Sequence, residues 1–327
     1  METQQLGTAT VIRRFDARDY PGVIAVANAV FPDRLSTVDE FRYDDEHYDP
    51  KCVNERYVAG DPATGEVVGF AGLWNAAWAY HPRKFGMEIR VSPAHQRRGI
   101  GSALWARLEE VLRGYQAISV KTQVWESMAE GVAFVTRRGF RETMRSWESR
   151  LAVGTFDFDR FRPYFARARQ SGVTITTLAD ERAKDEANLA RIHAMEVEIA
   201  QDIPRPPDDV ATPFSYTLWR QHAVDAPWAI NDAFFLAVVD GEYAGMSSLF
   251  KPQAGDYLHQ GLTGVRRAFR GRHIATALKV KTVEHARDHG VREIRTWNEI
   301  NNKPMLAINV KFGFARQPAW ITFIKEF

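Results

Sequence analysis

Cysteine is nearly absent from this 327-residue chain: Cys52 stands alone. No disulfide can form within the chain, and the expectation is a reducing, cytoplasmic home. Charge of one sign is also lacking. Its 43 lysines and arginines against 41 acids leave a formal +2, too small a field to favour nucleic acid or a membrane surface as partner. No apolar run approaches the ~18 residues of a membrane span, and the opening METQQLGTATVIRRF has no apolar signal core. What is present is ordinary for a globular protein, 45% hydrophobic and 26% charged, with length for two domains of about 150 residues.

The chain is organised around Met87 to Leu112. There a β-favouring run, Ile89-Arg90-Val91, meets a Ser-Pro turn, the loop Gln96-Arg97-Arg98-Gly99-Ile100-Gly101 and then an amphipathic helix. Ile100, Leu104, Leu108 and Val111 recur at helical spacing, so one face of that helix is apolar. A glycine- and arginine-bearing loop at a helix N-terminus offers unpaired N–H groups and positive potential, which is the chemistry of a pyrophosphate cradle.

The second half repeats this order. Strand, helix, hairpin, basic loop, helix and strand recur, and both Gln96 to Gly139 and Arg270 to Gly313 span 43 positions. A period this long means a duplicated domain. The expected division is 1–155 and 173–327, joined by 156–172 as a helix lying across both halves. A helix over Tyr20 to Val30, hairpins at Arg56 to Trp74 and Ala233 to Phe250, and one long helix from Glu181 to Ala200 complete the reading.

The spacing Gln96-x-x-Gly99-x-Gly101 between a strand and a helix, with Gly139-Phe140 about forty residues later, resembles the acetyl-CoA loop of the GNAT superfamily of N-acetyltransferases. Its motif is Q/R-x-x-G-x-G/A. The likeness covers nearly the whole chain as two consecutive domains, an arrangement shared with proteins similar to mycothiol synthase. It implies an α/β (α+β) fold, each domain a mixed, mostly antiparallel twisted sheet flanked by helices. The competing dinucleotide reading of Gly99-Ile100-Gly101 lacks its third glycine, because position 104 is Leu.

The resemblance implies acetyl transfer from acetyl-CoA to a primary amine of a small molecule by direct attack in a ternary complex. Val91, Gln96, Arg97, Arg98, Gly99, Ile100, Gly101 and Ser102 would hold the cofactor in the first domain. Val265, Arg270, Gly271, Arg272, His273, Ile274, Ala275 and Asn302 are the second-domain candidates. His273 replaces the middle glycine there, which reads either as a weakened pocket or as a tolerated substitution. The family's thiolate-protonating Tyr is replaced by Val135 and Asn309. Glu88 stands where a general base is wanted, or is an ion-paired strand residue, and His259 is a weaker substitute in the second half. The acids and tyrosines of Asp39 to Asp49, and the loop bearing Asp202, Asp208 and Asp209, read as a wall for a cationic amine or as solvated loops. His285 and His289, i and i+4 on a helix, read as a surface pair with no metal expected. A module from another class remains alongside, an acyl-CoA sensor in which one or both halves bind without catalysing.

Overall fold

Local sequence signals set most element boundaries in the computed structural model, which describes residues 10–61, 63–206 and 209–327. Thr8 and Ala9 of the expected first strand, Pro62 of the first hairpin turn, and Pro207 and Asp208 of the acidic loop lie outside them. The first half runs β1 (Val11–Arg14), α1 (Tyr20–Val30), α2 (Val38–Glu46), β2 (Asn54–Gly60), β3 (Val67–Trp74) and β4 (Lys84–Val91). It continues through α3 (Ile100–Gly114), β5 (Ser119–Trp125), α4 (Ala129–Thr136) and β6 (Arg141–Ala152). The linking helix α5 (Arg162–Gln170) follows. The second half has β7 (Val173–Thr177), α6 (Leu178–Lys184), α7 (Asn188–Ala200), α8 (Tyr216–Trp219), β8 (Ala229–Val239) and β9 (Glu242–Phe250). Last come β10 (Leu258–Val265), α9 (Ile274–Asp288), β11 (Glu293–Glu299), α10 (Lys303–Phe312) and β12 (Ala315–Glu326).

Proline near its first turn pre-sets α1, and a reciprocal Thr37–Glu40 capping box starts α2. The segment expected as one helix from Glu181 to Ala200 is two. α6 ends at Lys184, and Asp185 adopts an extended conformation before α7 begins.

One sheet of twelve strands runs through both halves, in the order β1-β2-β3-β4-β5-β12-β6-β11-β10-β9-β8-β7. The pairing is antiparallel except for β4 with β5 and β10 with β11. The two closing strands are exchanged: β12, from the end of the chain, lies between β5 and β6, and β6 pairs with β11. The cores follow the strands. Ile321 and Phe323 of β12 pack with Leu104 and Leu108 in the first half, while Leu151 and Val153 pack with Leu278 and Val280 in the second.

α5 does not bridge the halves as expected. It packs on α9 and β7 of the second half, and the preceding Phe156 and Phe161 stack on each other and against Phe312. Burial of those rings fixes the link to one side. No helix among the described residues is long and apolar enough to cross a membrane.

Candidate active site between the halves

Each half carries a strand–loop–helix cradle of the same backbone shape. Gln96 donates its side-chain N–H to the Val91 carbonyl at 3.0 Å, and Arg270 makes the equivalent bond to Val265 at 3.1 Å. Both loops place their second and fourth residues in the left-handed region: Arg97 (φ 63°) and Gly99 (φ 84°), then Gly271 (φ 81°) and His273 (φ 60°). Each loop thus spends its glycine on a different one of two strained positions. Only glycine adopts this conformation without penalty; Arg97 and His273 each pay about 1 kcal/mol. Gly271 leaves the loop geometry unshifted, and His273 takes the left-handed conformation itself.

The first cradle is open. Gln96, Arg97, Arg98 and Gly99 are exposed, while Ile100 is buried and pins the start of α3. A Cβ at Gly99 would meet nothing within 4 Å, so its glycine serves the backbone angle. At Gly101 a Cβ would come within 3.3 Å of Phe134, so that glycine lets α4 pack close. Arg138, just after α4, lies outside the loop motif. It reaches the Ser102 hydroxyl at 2.8 Å with its guanidinium over Phe134, adding a cation beside the first turn of α3.

The second cradle is likewise exposed at Arg270, Gly271 and His273, but its cations are already paired. Asp202 accepts hydrogen bonds from Arg267 and Arg270, and those contacts hold its carboxyl down at about 2. Tyr164 of α5 packs edge-on against His273, and Lys311 donates to its hydroxyl. Arg272 lies over Phe269, Gly271 and Ala275 complete the loop, and Ile274 is buried. Asn302 caps α10, accepting from the Met305 N–H at 3.4 Å. Asn309, at the family's tyrosine position, accepts from Lys279, a fully buried lysine whose pKa burial lowers to about 7.

β4 pairs with β5 only over Lys84 to Gly86 and then diverges from it. Above that split lies a cavity of about 970 Å³, lined by β4, β5 and α4 from the first half and by α7, residues 203–206 and residues 211–214 from the second. The covering loop is tied down by Thr212, whose N–H donates to the Trp78 carbonyl at 2.8 Å and whose hydroxyl accepts from the Tyr80 N–H. In the second half β10 and β11 diverge likewise, but the His259 ring bridges to Trp297 at 4.6 Å and touches Phe250 and Tyr257.

Glu88 lines the cavity with its carboxylate 2.7 Å from Arg90. His259 is kept neutral, its pKa pushed down to about 3 by burial and then by Arg295 and Arg34. Val135 also lines the cavity and supplies no proton. None of the acids of α2 does so. Asp45 instead accepts from Tyr20, Asn54 and Arg56, and Tyr43 donates to the Gln221 carbonyl, so this segment joins core and halves rather than forming a substrate wall. Asp209 does reach the cavity, paired with Lys121.

Two cavity groups came as additions to the sequence reading. Glu196, on α7, accepts the Trp219 indole N–H at 2.8 Å, and burial pushes its pKa up to about 7. Arg34 inserts among Trp125, Trp320 and Trp297 and pairs with the fully buried Glu148. The sequence signal for Glu196 was its spacing: it falls four residues after Ile192 on the apolar stripe of its helix, a place where an acid needs a reason. On the opposite side of the second half, Asp232 stands beside His285 and His289, their ligand-bearing atoms within 4.8 Å of one another. It supplies the third side chain that the sequence did not place near the pair.

Comparison with known proteins agrees with this geometry. A mycothiol acetyltransferase from Amycolatopsis mediterranei is 25% identical over 259 residues, 77% of this chain and 78% of that protein. A tandem GNAT protein from the clavulanic acid biosynthesis pathway has the same fold at 22% identity, with a TM-score of 0.73 over 97% of this chain and 98% of that one. A GCN5-related N-acetyltransferase from Sphaerobacter thermophilus, 19% identical, superposes with a TM-score of 0.66 over 97% of this chain and 95% of that one. The family described as acetyltransferase (GNAT) matches residues 21–140 and again 196–314. With both cradles inside matched segments, the chain belongs to the GNAT acetyltransferase family and is a tandem acyltransferase.

Proposed function

We propose that this protein transfers the acetyl group of acetyl-CoA to a primary amine of a small molecule, and that the first half performs the chemistry. The observation that carries this reading is the contrast between the cradles. Both loops are exposed, but the first stands beside a split strand pair that opens into a cavity, whereas the second has its arginines paired with Asp202 and its strand split filled by the His259 ring. On this reading the halves are residues 1–155 and 173–327, joined by 156–172.

The residues present fit acetyl-CoA. Backbone N–H groups of Gly99 to Ser102 and the side chains of Arg97, Arg98 and Arg138 would hold its pyrophosphate and 3′-phosphate. Acetyl-CoA supplies an activated thioester. β4, freed from β5 beyond Gly86, presents unpaired backbone groups where the pantetheine arm and thioester carbonyl would lie. The amine enters from the cavity, so that donor and acceptor meet in one site. Glu88, held 2.7 Å from Arg90, fixes a negative charge on the cavity wall.

The test is amine-dependent release of free CoA from acetyl-CoA, measured with a thiol reagent across a panel of small amines. Turnover lost in Gly99→Asp is the expected result. Tight binding of acetyl-CoA with no turnover on any amine would contradict an enzymatic role.

A further inference from the structure

We propose that the acceptor is a primary amine carried on a bulky apolar, aromatic body, and that it docks between the halves with its ammonium against Glu196, which takes its proton. This rests on the acetyl-transfer reading and adds to it both a substrate class and a base supplied by the second half.

The charges around the cavity carry the argument. Glu88 is paired with Arg90, Lys121 with Asp209, and Arg34 with Glu148. Arg205 donates to the Ala200 carbonyl, and His193, one turn before Glu196, bonds the Phe214 carbonyl. Lys84 completes the ionisable lining. Glu196 differs from these carboxylates in having an indole N–H as its hydrogen-bond partner, with no charged group acting on it. A carboxylate deep in protein and without a cation is costly, and one facing a cavity is satisfied by a cation that the cavity admits. An ammonium ion meets that need. Its proton moves to a carboxyl whose pKa lies near 7 with less cost than to an ordinary carboxylate.

The rest of the wall selects the body of the amine. Trp74, Phe214, Trp219 and Trp297 line the same space, offering ring faces. A polyhydroxylated amine would lose hydration against those rings, whereas an aromatic body gains from burial and stacking.

The step balances as follows. The Glu196 carboxylate accepts one proton from the ammonium, leaving a neutral amine and a carboxylic acid. The amine lone pair forms the C–N bond at the thioester carbonyl. The C–S bond breaks with its electron pair on sulfur, and the further proton lost by nitrogen ends on that sulfur as the CoA thiol. Glu196 then returns its proton to solvent.

The experiment measures kcat/KM for 2-phenylethylamine and for glucosamine at saturating acetyl-CoA from pH 5.5 to 9, in the parent protein and in Glu196→Gln, with acetyl-CoA binding followed by calorimetry. Expected are a kcat/KM for phenylethylamine at least tenfold above that for glucosamine, a fall of about 10²-fold or more in E196Q, loss of its acidic limb near pH 7, and unchanged acetyl-CoA binding. An E196Q variant with the parent's rate and pH profile overturns the role of Glu196. Equal or better use of glucosamine overturns the substrate class. Either result leaves acetyl transfer standing, whereas a parent that binds acetyl-CoA but acetylates neither amine nor any other in a panel overturns both readings.

Discussion

Trp125 and Trp320 face each other across β5 and β12, their rings stacked at 11° with centroids 6.1 Å apart. One belongs to the first half and the other to the last strand of the chain, so this pair is where the exchange of closing strands is sealed. Arg34 lies over both rings, 5.0 and 4.9 Å from their centroids. Trp320→Ala should therefore loosen both halves together. We expect a loss of about 2–3 kcal/mol in urea unfolding, with the transition remaining single. Two separate transitions would show that the halves do not share their closing strands in solution.

At Gly99 the demand is conformational, because its φ is 84° and a Cβ would touch nothing. Gly99→Ala should cost about 1 kcal/mol of stability. Gly99→Asp should cost about the same in a melt and in addition weaken acetyl-CoA at least tenfold, by setting a negative charge beside phosphate. Equal affinities of the two variants in a fluorescence titration would remove the pyrophosphate from this loop.

Asp202 locks the second cradle, and its pKa is lowered to about 2 by Arg267 and then Arg270. A depressed carboxyl stabilises the fold above its ordinary pKa near 4, and that stability is lost as pH falls through about 2. Asp202→Ala should therefore melt below the parent at pH 7, with the gap closing toward pH 2. Because the His259 ring still fills the split between β10 and β11, the substitution should not create a second acetyl-CoA site. A constant gap in melting temperature across that range would exclude the pairing.

Glu196 has the opposite sign. Burial raises its pKa from 4.5 to about 7, so the folded state binds the proton more tightly than the unfolded one. That contribution is fully present below about pH 4.5 and disappears as pH rises through about 7. Glu196→Gln should match the parent at pH 4.5 and exceed it at pH 8 by roughly 2–3 kcal/mol. A variant less stable than the parent at pH 8 would show that the carboxylate is already compensated.

Features set by neighbours in sequence were legible in it. The Gln96 and Arg270 loops, helix α1 from Tyr20 to Val30 and the hairpin ending at Trp74 follow from glycine placement, capping and periodicity. The doubling followed from matched spacing. The exchange of β6 and β12 was not legible, since either strand satisfies the same alternation beside β5 and only long-range pairing chooses. The acids of α2 misled for a related reason. Nothing local shows that Asp45 turns inward to meet Arg56, and charge alone suggested a solvent-facing wall. Glu196 stands out locally as an acid four residues after Ile192, but nothing local shows that α7 roofs the cavity of the other half. The contacts on the second cradle depended likewise on Tyr164 and Asp202, each far from the loop in sequence.

The central claim is an unequal pair: one working cradle beside an open strand split, and one whose arginines are paired with Asp202 and whose split is filled by His259. Isothermal titration calorimetry of the intact chain with acetyl-CoA tests it most directly. The account predicts one molecule bound per chain, with binding lost in Gly99→Asp and retained in His273→Asp. Two molecules per chain, or a single one that survives Gly99→Asp and vanishes in His273→Asp, would contradict it.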